Sequence, residues 1–334
     1  MRRYPLVIIG AGLSGLAAGI RCARFGYKTL ILEKHDKAGG LNSYYYRRGR
    51  LLETGLHAIT NYAPPDDRHA PLNRLLRQLK IPRRKFITRQ QFTSEILFPG
   101  IASLCFSNDF SMLQSQVAEY FPAATARFAE LIAAIDRYDP FTPAPRVSAR
   151  NFVAATLRDR LLTEMLFCPL LLYGGSEEND MDLSQFVILF RSIFQEGFFR
   201  PQGTIKDFLD LLLQHYRDFG GEIELNTGVM EILTDGARIA GVRTAAGEVI
   251  GCDHLISTAG FPETTNLFAA PGDATRFSSL SAEKTAGRLS FLESIYLVKK
   301  SAADHLPRDR TVIFYNFSDT FSYRRPEEPV DLNS

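Results

Sequence analysis

Short apolar runs alternate with helix-forming stretches in the first part of the chain. The run PLVII at 5–9 is rich in β-branched residues and ends at Gly10, which predicts a buried parallel strand. The stretch SGLAAGIRCARFG at 14–26 consists of small residues and helix formers, and YKTLILE at 27–33 predicts a second strand. Strand, helix and strand in this order predict one right-handed unit of a parallel sheet.

The same segment has an alternative interpretation as a secretory signal. Arg2 and Arg3 stand before the apolar run, as basic residues do in signal peptides. Glycines at fixed intervals inside the run, and its direct continuation into the next predicted strand, count against this alternative.

Three glycines at the predicted strand-to-helix turn form a GxGxxG motif. Gly10 permits the tight turn, Gly12 lets a pyrophosphate approach the backbone, and Gly15 lets the helix pack closely on the strands. The helix N-terminus then presents free N–H groups to the phosphates, and Glu33 can accept hydrogen bonds from a ribose hydroxyl. The motif predicts a dinucleotide cradle, although small residues that merely ease helix packing are the alternative. The predicted contacts of this first part are Gly10, Ala11, Gly12, Leu13, Ser14, Gly15, Glu33 and Lys34.

The residues that follow favour FAD over the other dinucleotides. An acid at the end of the second strand fits an unphosphorylated ribose, and therefore FAD or NAD. The pair Gly39-Gly40 resembles the extended flavoprotein signature, in which a second glycine pair lies near the phosphates and the ribityl chain. The segment RRGRLLETGLHAI at 47–59 resembles the next part of that signature, a strand that ends in acid-x-Gly near the flavin. Gly39, Gly40, Leu41 and Gly55 are therefore predicted cofactor contacts.

A second match to the flavoprotein pattern lies at 220–260. This segment predicts short strands with turns at Asp235-Gly236 and Ala246-Gly247. The resemblance implies that Val229 faces the adenine and that Ala259 and Gly260 close the cofactor site.

These motifs together resemble the phytoene desaturase, carotenoid isomerase and retinol saturase group of FAD-dependent oxidoreductases, which is related to the amine oxidases. The resemblance runs from Tyr4 to about Gly260. It implies an α/β fold in which a Rossmann-like FAD-binding domain of the glutathione reductase type, a parallel sheet with a β-hairpin insertion, is interleaved with an α+β substrate domain. The expected FAD-binding domain comprises 1–62 and 201–265, and the expected substrate or cap domain comprises 63–200 and 266–334.

The resemblance implies an enzyme that acts on an apolar polyene or isoprenoid substrate, as in carotenoid biosynthesis. Desaturation, saturation and redox-neutral isomerisation remain open. Oxidation of an amine or another small polar substrate is an alternative, but Leu41 stands where amine oxidases commonly carry an arginine. An inactive dinucleotide-binding fragment is a further alternative.

Two features have both a functional and a structural interpretation. His57 lies on the segment that the resemblance places near the flavin, and is either a catalytic residue or a structural histidine. The chain has 25 Phe and 13 Tyr, many of them at 141–199, which either line a substrate tunnel or fill the core of a cap domain.

Composition excludes several classes of protein. The net charge of +2 argues against a dedicated nucleic-acid binder. Four cysteines without a close pair exclude a zinc ribbon or disulfide scaffold and favour a reducing compartment such as the cytoplasm. No motif indicates a metal site, and the oligomeric state stays open.

A basic segment at 68–94 contains no acid. It is either a solvated face or a surface that docks on anionic lipid, which would make the protein a peripheral membrane protein. Its cations are Arg68, Arg74, Arg77, Lys80, Arg83, Arg84, Lys85 and Arg89.

The last residues, TVIFYNFSDTFSYRRPEEPVDLNS, lack the closing glycine-rich turn and helix that the resemblance implies. We therefore expect the 334 residues to be part of a longer chain. The ADP cradle should form, whereas flavin should be held weakly and turnover should be poor or nil.

Overall fold

The computed structural model describes residues 2–55, 58–268, 293–299, 301, 307 and 309–324. The chain divides into two compact units. The first consists of 1–57, 73–88 and 201–286, and the second of 58–72, 89–200 and 287–334. Residues 73–88, which the sequence analysis assigned to the substrate domain, thus lie in the first unit.

The described residues form strands, α-helices and a few short 3₁₀ and π-helical segments. The strands are β1 Arg2–Ile9, β2 Thr29–Leu32, β3 Tyr44–Arg47, β4 Arg50–Glu53, β5 Thr88–Gln90, β6 Thr93–Phe98, β7 Ala102–Phe106, β8 Phe199–Pro201, β9 Glu222–Glu224, β10 Val229–Asp235, β11 Arg238–Thr244, β12 Val249–Ser257 and β13 Arg310–Tyr315. The α-helices are α1 Leu13–Arg24, α2 Pro71–Gln78, α3 Phe110–Tyr120, α4 Thr125–Arg137, α5 Ala149–Leu157, α6 Arg160–Gly174, α7 Leu183–Phe190, α8 Ile205–Asp218 and α9 Phe261–Thr265. A π-helix at Arg191–Gln195 follows α7, and 3₁₀ helices lie at Gly40–Asn42, Arg83–Lys85 and Pro122–Ala124.

A six-stranded sheet in the order β10-β11-β12-β1-β2-β9 forms the centre of the first unit. β12, β1, β2 and β9 are parallel, whereas β10 and β11 extend the sheet as an antiparallel hairpin. β2 is buried throughout, because a parallel sheet is covered on both faces. The predicted α/β fold, a parallel sheet with a β-hairpin insertion, is confirmed, and β1 removes the interpretation of its residues as the apolar core of a signal peptide.

α8 packs beside α1 at a position where only glycine fits. A Cβ on Gly19 would lie 2.9 Å from Tyr216 Cε2 and 3.0 Å from Ile31 Cδ1. The Tyr216 hydroxyl lies 2.7 Å from Thr29 Oγ1, and burial raises the pKa of this phenol to about 12. The hydroxyl therefore stays neutral and ties α8 to β2.

The N-terminus of α8 is capped from two directions. Thr204 and Asp207 form a capping box, in which the Asp207 carboxylate accepts from Thr204 N at 2.7 Å. Glu53 Oε1 accepts a hydrogen bond from Ile205 N at 2.8 Å. Glu53 thus has a structural role, since its carboxylate joins the end of β4 to the first turn of α8.

The second unit combines a three-stranded sheet, in the order β13-β6-β7, with the helices α3 to α7. Its core contains a row of fully buried phenylalanines. Phe167, Phe186, Phe190 and Phe194 follow one another with ring centroids 5.0–5.7 Å apart. These rings pack against each other, as the core-packing interpretation predicts.

Some sequence predictions fall differently in the structure. The sequence SFLESIYLVKK at 290–300 predicts a strand, but the described part of it, 293–299, forms none. His57 lies outside the described residues. Within the described ranges, no helix is both long and apolar enough to cross a bilayer, and no group of three His, Cys, Asp or Glu side chains could hold a metal ion.

Candidate functional site

The predicted cofactor residues of the first unit meet at one edge of its parallel sheet. β1 lies between β12 and β2, and the segments that leave the carboxyl ends of these three strands come together there. Ligands of open α/β sheets bind at such a position, where connections from neighbouring strands diverge.

The turn after β1 is built on Gly10 and Gly15. Gly10 has a φ of +96°, in the region that favours glycine, and its N–H donates to Leu32 O at 2.9 Å. A Cβ on Gly15 would overlap the Gly10 carbonyl oxygen and lie 3.0 Å from Thr258 Oγ1. Helix α1 therefore begins directly against the end of β1.

Gly12 is the N-cap of α1, and no side chain caps the helix there. The nearest atom to a Cβ on Gly12 would be Gly40 Cα, 4.0 Å away, so the space beside Gly12 is open. The N–H groups of Ser14 and Gly15, in the first turn of α1, have no acceptor within the helix. That of Leu13 takes part in the isolated parallel bridge between Gly12 and Gly39. Open space, free N–H groups and the positive end of the helix dipole together suit a phosphate.

The Glu33 carboxylate is fixed in the same turn. Its Oε2 accepts from Ala11 N at 2.7 Å and its Oε1 accepts from His35 N at 3.0 Å. The residue is only 5% exposed. Because each carboxylate oxygen has a second lone pair, Glu33 can still accept a hydrogen bond from a sugar hydroxyl.

The chain after Glu33 runs beside the start of β10. Thr227 N donates to Glu33 O at 2.7 Å, and a Cβ on Gly228 would lie 3.5 Å from Lys34 Cβ. Val229 is the next residue and begins β10. The structure thus brings Lys34 and Val229 to the same side of the cradle.

The glycine pair closes over Gly12. Gly39 N donates to Ala11 O at 2.9 Å, and Gly39 and Gly40 have φ values of +121° and +59°. A Cβ on Gly40 would lie 3.2 Å from Gly12 Cα, which is tighter than ordinary contact. The pair therefore allows this loop to approach the turn of α1.

Leu41 follows the pair and is 90% exposed, which is unusual for a large apolar side chain. Its backbone is held, because Thr54 Oγ1 donates to Leu41 O at 3.2 Å. A Cβ on Gly55, whose φ is +78°, would lie 2.8 Å from the same oxygen. Gly55 thus lets the segment after β4 reach the loop of Leu41.

Thr258 lies at the centre of the site, although the sequence analysis did not predict it as a site residue. Thr258 N and Oγ1 donate to Ile9 O at 2.9 and 3.0 Å, so this side chain ties the end of β12 to the end of β1. Ala259 and Gly260 follow it, and Gly260, with a φ of +110°, is the N-cap of α9. The run of small residues at 257–260 was the available signal.

Comparison with known proteins gives a consistent result. The family model for "Flavin containing amine oxidoreductase" matches residues 13–286. A phytoene desaturase (lycopene-forming) from Pseudescherichia vulneris is 25% identical over 278 residues, which cover 76% of this chain and 55% of the relative. An all-trans-retinol 13,14-reductase from Danio rerio is 34% identical over 73 residues, or 22% of this chain and 11% of the relative.

A solved oxidoreductase from Methanosarcina mazei has the same fold, with a TM-score of 0.64 and 21% identity over 81% of this chain and 64% of that one. The chain spans about half the length of the curated desaturases it matches.

Proposed function

This chain belongs to the family of flavin containing amine oxidoreductases, and we propose that it is an FAD-dependent oxidoreductase of apolar polyene or isoprenoid substrates. Membership in a flavin containing family confirms the prediction of a flavin cofactor. The observation that carries the proposal is the cradle at the end of β1, where an open helix N-terminus and a fixed acid lie on the same turn.

The residues of the cradle fit FAD part by part. The free N–H groups of α1 beside Gly12 would hold the pyrophosphate, and Glu33 would hold the adenosine ribose. Val229 would lie on the adenine side, and the loop of Gly39 and Gly40 would lie towards the ribityl chain. These assignments are part of the proposal.

FAD supplies a hydride acceptor or donor when bound, and the protein supplies binding, orientation and exclusion of water. Glu33 and the α1 turn would fix the nucleotide end, so that the rest of the cofactor has one orientation. A role for His57 in orienting the substrate stays a prediction.

The proposal of a lipophilic substrate is supported by the names of the relatives, a phytoene desaturase and a retinol reductase. It includes docking of the basic segment at 68–94 on anionic lipid. Within that segment the Arg83 guanidinium is engaged, because it donates to Asn73 Oδ1 at 3.1 Å, to Thr88 Oγ1 at 2.6 Å and to Phe86 O. Arg84 and Lys85 are exposed and are the better candidates for lipid contact.

The flavin spectrum distinguishes the three possible reactions. Protein loaded with FAD is mixed without oxygen with phytoene, and protein with reduced flavin is mixed with retinol. Desaturation bleaches the oxidised flavin, saturation restores it from the reduced form, and isomerisation changes only the polyene spectrum. Turnover of putrescine or another amine, with no change in any polyene, would contradict the proposed substrate class.

A further inference from the structure

We propose that the β3–β4 hairpin, together with residues 84–87, forms a basic and aromatic surface that docks on an anionic lipid bilayer. This surface belongs to the first unit and includes residues outside the basic segment. The inference rests on the proposed function, which includes docking of the basic segment on anionic lipid, and it adds the hairpin to that docking surface.

The tip of the hairpin places like charges opposite each other. Arg47 and Arg50 are directly paired across the two strands, an arrangement that destabilises a hairpin unless an anion compensates it. Arg48 and Gly49 between them have φ values of +50° and +72°, as in the two-residue turns that usually carry Asn-Gly. Arg48 is thus a poor choice for the backbone, and none of the three arginines makes an ion pair with any described residue.

Tyrosines accompany the arginines on β3. Tyr45 is 37% exposed and Tyr46 is 60% exposed. A tyrosine has an apolar ring and a polar hydroxyl, and such side chains are favoured at the boundary between water and lipid. Arginine forms bidentate hydrogen bonds with phosphate groups, so the hairpin combines the two side chains that a phospholipid surface selects.

A second segment reaches the same end of α8. Glu53 at the base of the hairpin accepts from Ile205 N, the first residue of that helix. Ile87 O accepts from Gln202 N at 2.8 Å, and the ring of Phe86 lies 4.6 Å from that of Phe208. Both segments therefore flank the start of α8.

The cations and the exposed apolar side chain of this second segment add to the surface. Arg84 and Lys85 are exposed, and Ile87 is 53% exposed. Asp207 and Asp210 are the acids on the exposed side of the first turns of α8, and both already have partners. Asp207 accepts a hydrogen bond from Thr204 N, and Asp210 forms an ion pair with Lys206. The cations are therefore left for an external anion.

The mixture of charges and apolar groups favours lipid over a nucleic acid or an acidic protein. A nucleic-acid binder would carry a larger excess of positive charge than the +2 of this chain. Exposed tyrosines and an exposed isoleucine beside the cations are typical of surfaces that insert into the headgroup region. Each basic residue near such a surface strengthens binding about fivefold.

The main test compares two triple variants of equal charge. Arg47→Gln, Arg48→Asn and Arg50→Gln remove the hairpin cations, and Asn at 48 suits the left-handed backbone. Arg21→Gln, Arg217→Gln and Arg238→Gln remove three exposed cations from α1, the far end of α8 and β11. Sedimentation with vesicles of phosphatidylcholine and phosphatidylglycerol measures binding, and urea unfolding of each variant confirms that it is folded.

We expect the hairpin variant to bind these vesicles at least about tenfold more weakly, and the control variant to bind nearly as well as the unchanged protein. Equal losses in the two variants would reduce the effect to net charge and overturn the proposal. So would the absence of vesicle binding in the unchanged protein, or full binding by the hairpin variant.

A second comparison tests whether the surface binds lipid rather than an acidic protein. Tyr45→Ser with Tyr46→Ser should weaken vesicle binding even in high salt, because ring burial is not screened. Stronger retention on immobilised polyglutamate than on vesicles would point to an acidic protein and overturn the choice of lipid. FAD binding is measured on the same samples, so a failure of the proposed FAD site is seen separately from a failure of docking.

Discussion

Glu33 Oε2 lies 2.7 Å from the backbone nitrogen of Ala11, so the acid at the end of β2 is hydrogen-bonded to the turn that follows β1. The group suited to a ribose and the turn suited to a pyrophosphate are therefore fixed to each other. A dinucleotide that contacts both meets a rigid arrangement, which lowers the entropic cost of binding.

Glu33→Gln should lower the stability of the folded protein and weaken the binding of FAD. The amide can accept at only one of the two positions and places an N–H group against Ala11 N or His35 N. We expect a loss of about 1.5–3 kcal/mol in the free energy of unfolding, since hydrogen bonds to charged groups contribute this much. Urea unfolding and FAD titration measure the two effects.

Glu231→Gln is the control for that variant, because its surface ion pair with Arg243 should contribute at most about 1 kcal/mol. Equal stability and FAD affinity of Glu33→Gln and the unchanged protein would contradict the assigned role.

Alanine at Gly12 and at Gly15 should have different effects. A Cβ on Gly12 has open space and an ordinary φ of −66°, so Gly12→Ala should fold normally and bind FAD at least about tenfold more weakly. A Cβ on Gly15 overlaps Gly10 O, so Gly15→Ala should lower the free energy of unfolding itself. Unfolding curves and flavin fluorescence titrations separate the two outcomes; a Gly12→Ala protein with full FAD affinity would show that nothing approaches the backbone there.

Glu196→Gln should be as stable as the unchanged protein, or more stable, at neutral pH. Burial raises the pKa of Glu196 and the charge of Asp67 acts in the same direction, while Arg191 and a hydrogen bond from Asn61 Nδ2 at 2.7 Å oppose them. A carboxyl whose pKa is raised on folding destabilises the folded state when ionised. Its contribution to stability therefore increases as the pH falls through the raised pKa towards 4.5 and is constant below that value.

The advantage of the glutamine variant should accordingly disappear as the pH approaches 4.5, which unfolding midpoints at several pH values can measure. A glutamine variant that is less stable by the same amount at every pH would contradict this account.

Removing one partner of the largely buried pair of Arg150 and Glu164 should destabilise the second unit strongly. Glu164 Oε1 lies 2.6 Å from Arg150 Nη1, and Oε2 accepts from Phe321 N at 3.1 Å. Glu164→Ala leaves the guanidinium without its counter-charge and should cost about 3–5 kcal/mol, whereas Arg150→Met with Glu164→Leu should recover most of that loss. Asp319→Asn, which breaks the exposed pair with Arg160, should cost about 1 kcal/mol or less. Similar losses for Glu164→Ala and Asp319→Asn in urea unfolding would show that burial of the pair has no consequence.

Local patterns predicted the parts of the fold that depend on nearby residues. The apolar run before Gly10 and the glycine spacing predicted β1, α1 and their turn. Thr204, a residue type favoured at helix N-termini, is the N-cap of α8. The capping of α8 by Glu53 follows only from three-dimensional proximity, because the two segments are remote in sequence.

The remaining differences come from contacts that no local pattern reveals. Thr258 is remote in the chain from the glycine turn that it contacts, so its role depends on the pairing of β12 with β1. The sequence alone indicates that Arg83 is a surface cation, yet its guanidinium donates hydrogen bonds to three acceptors. Residues 293–299 include several with high strand propensity, but strand formation also requires a pairing partner.

The most direct test of the account is cofactor binding to this chain and to Gly12→Val. The purified protein is titrated separately with FAD and with NAD, and binding is followed by fluorescence and by equilibrium dialysis. We expect FAD to bind weakly but with one equivalent per chain, Gly12→Val to abolish this binding without unfolding the protein, and NAD not to compete. Stoichiometric binding of NAD with no binding of flavin would contradict the account.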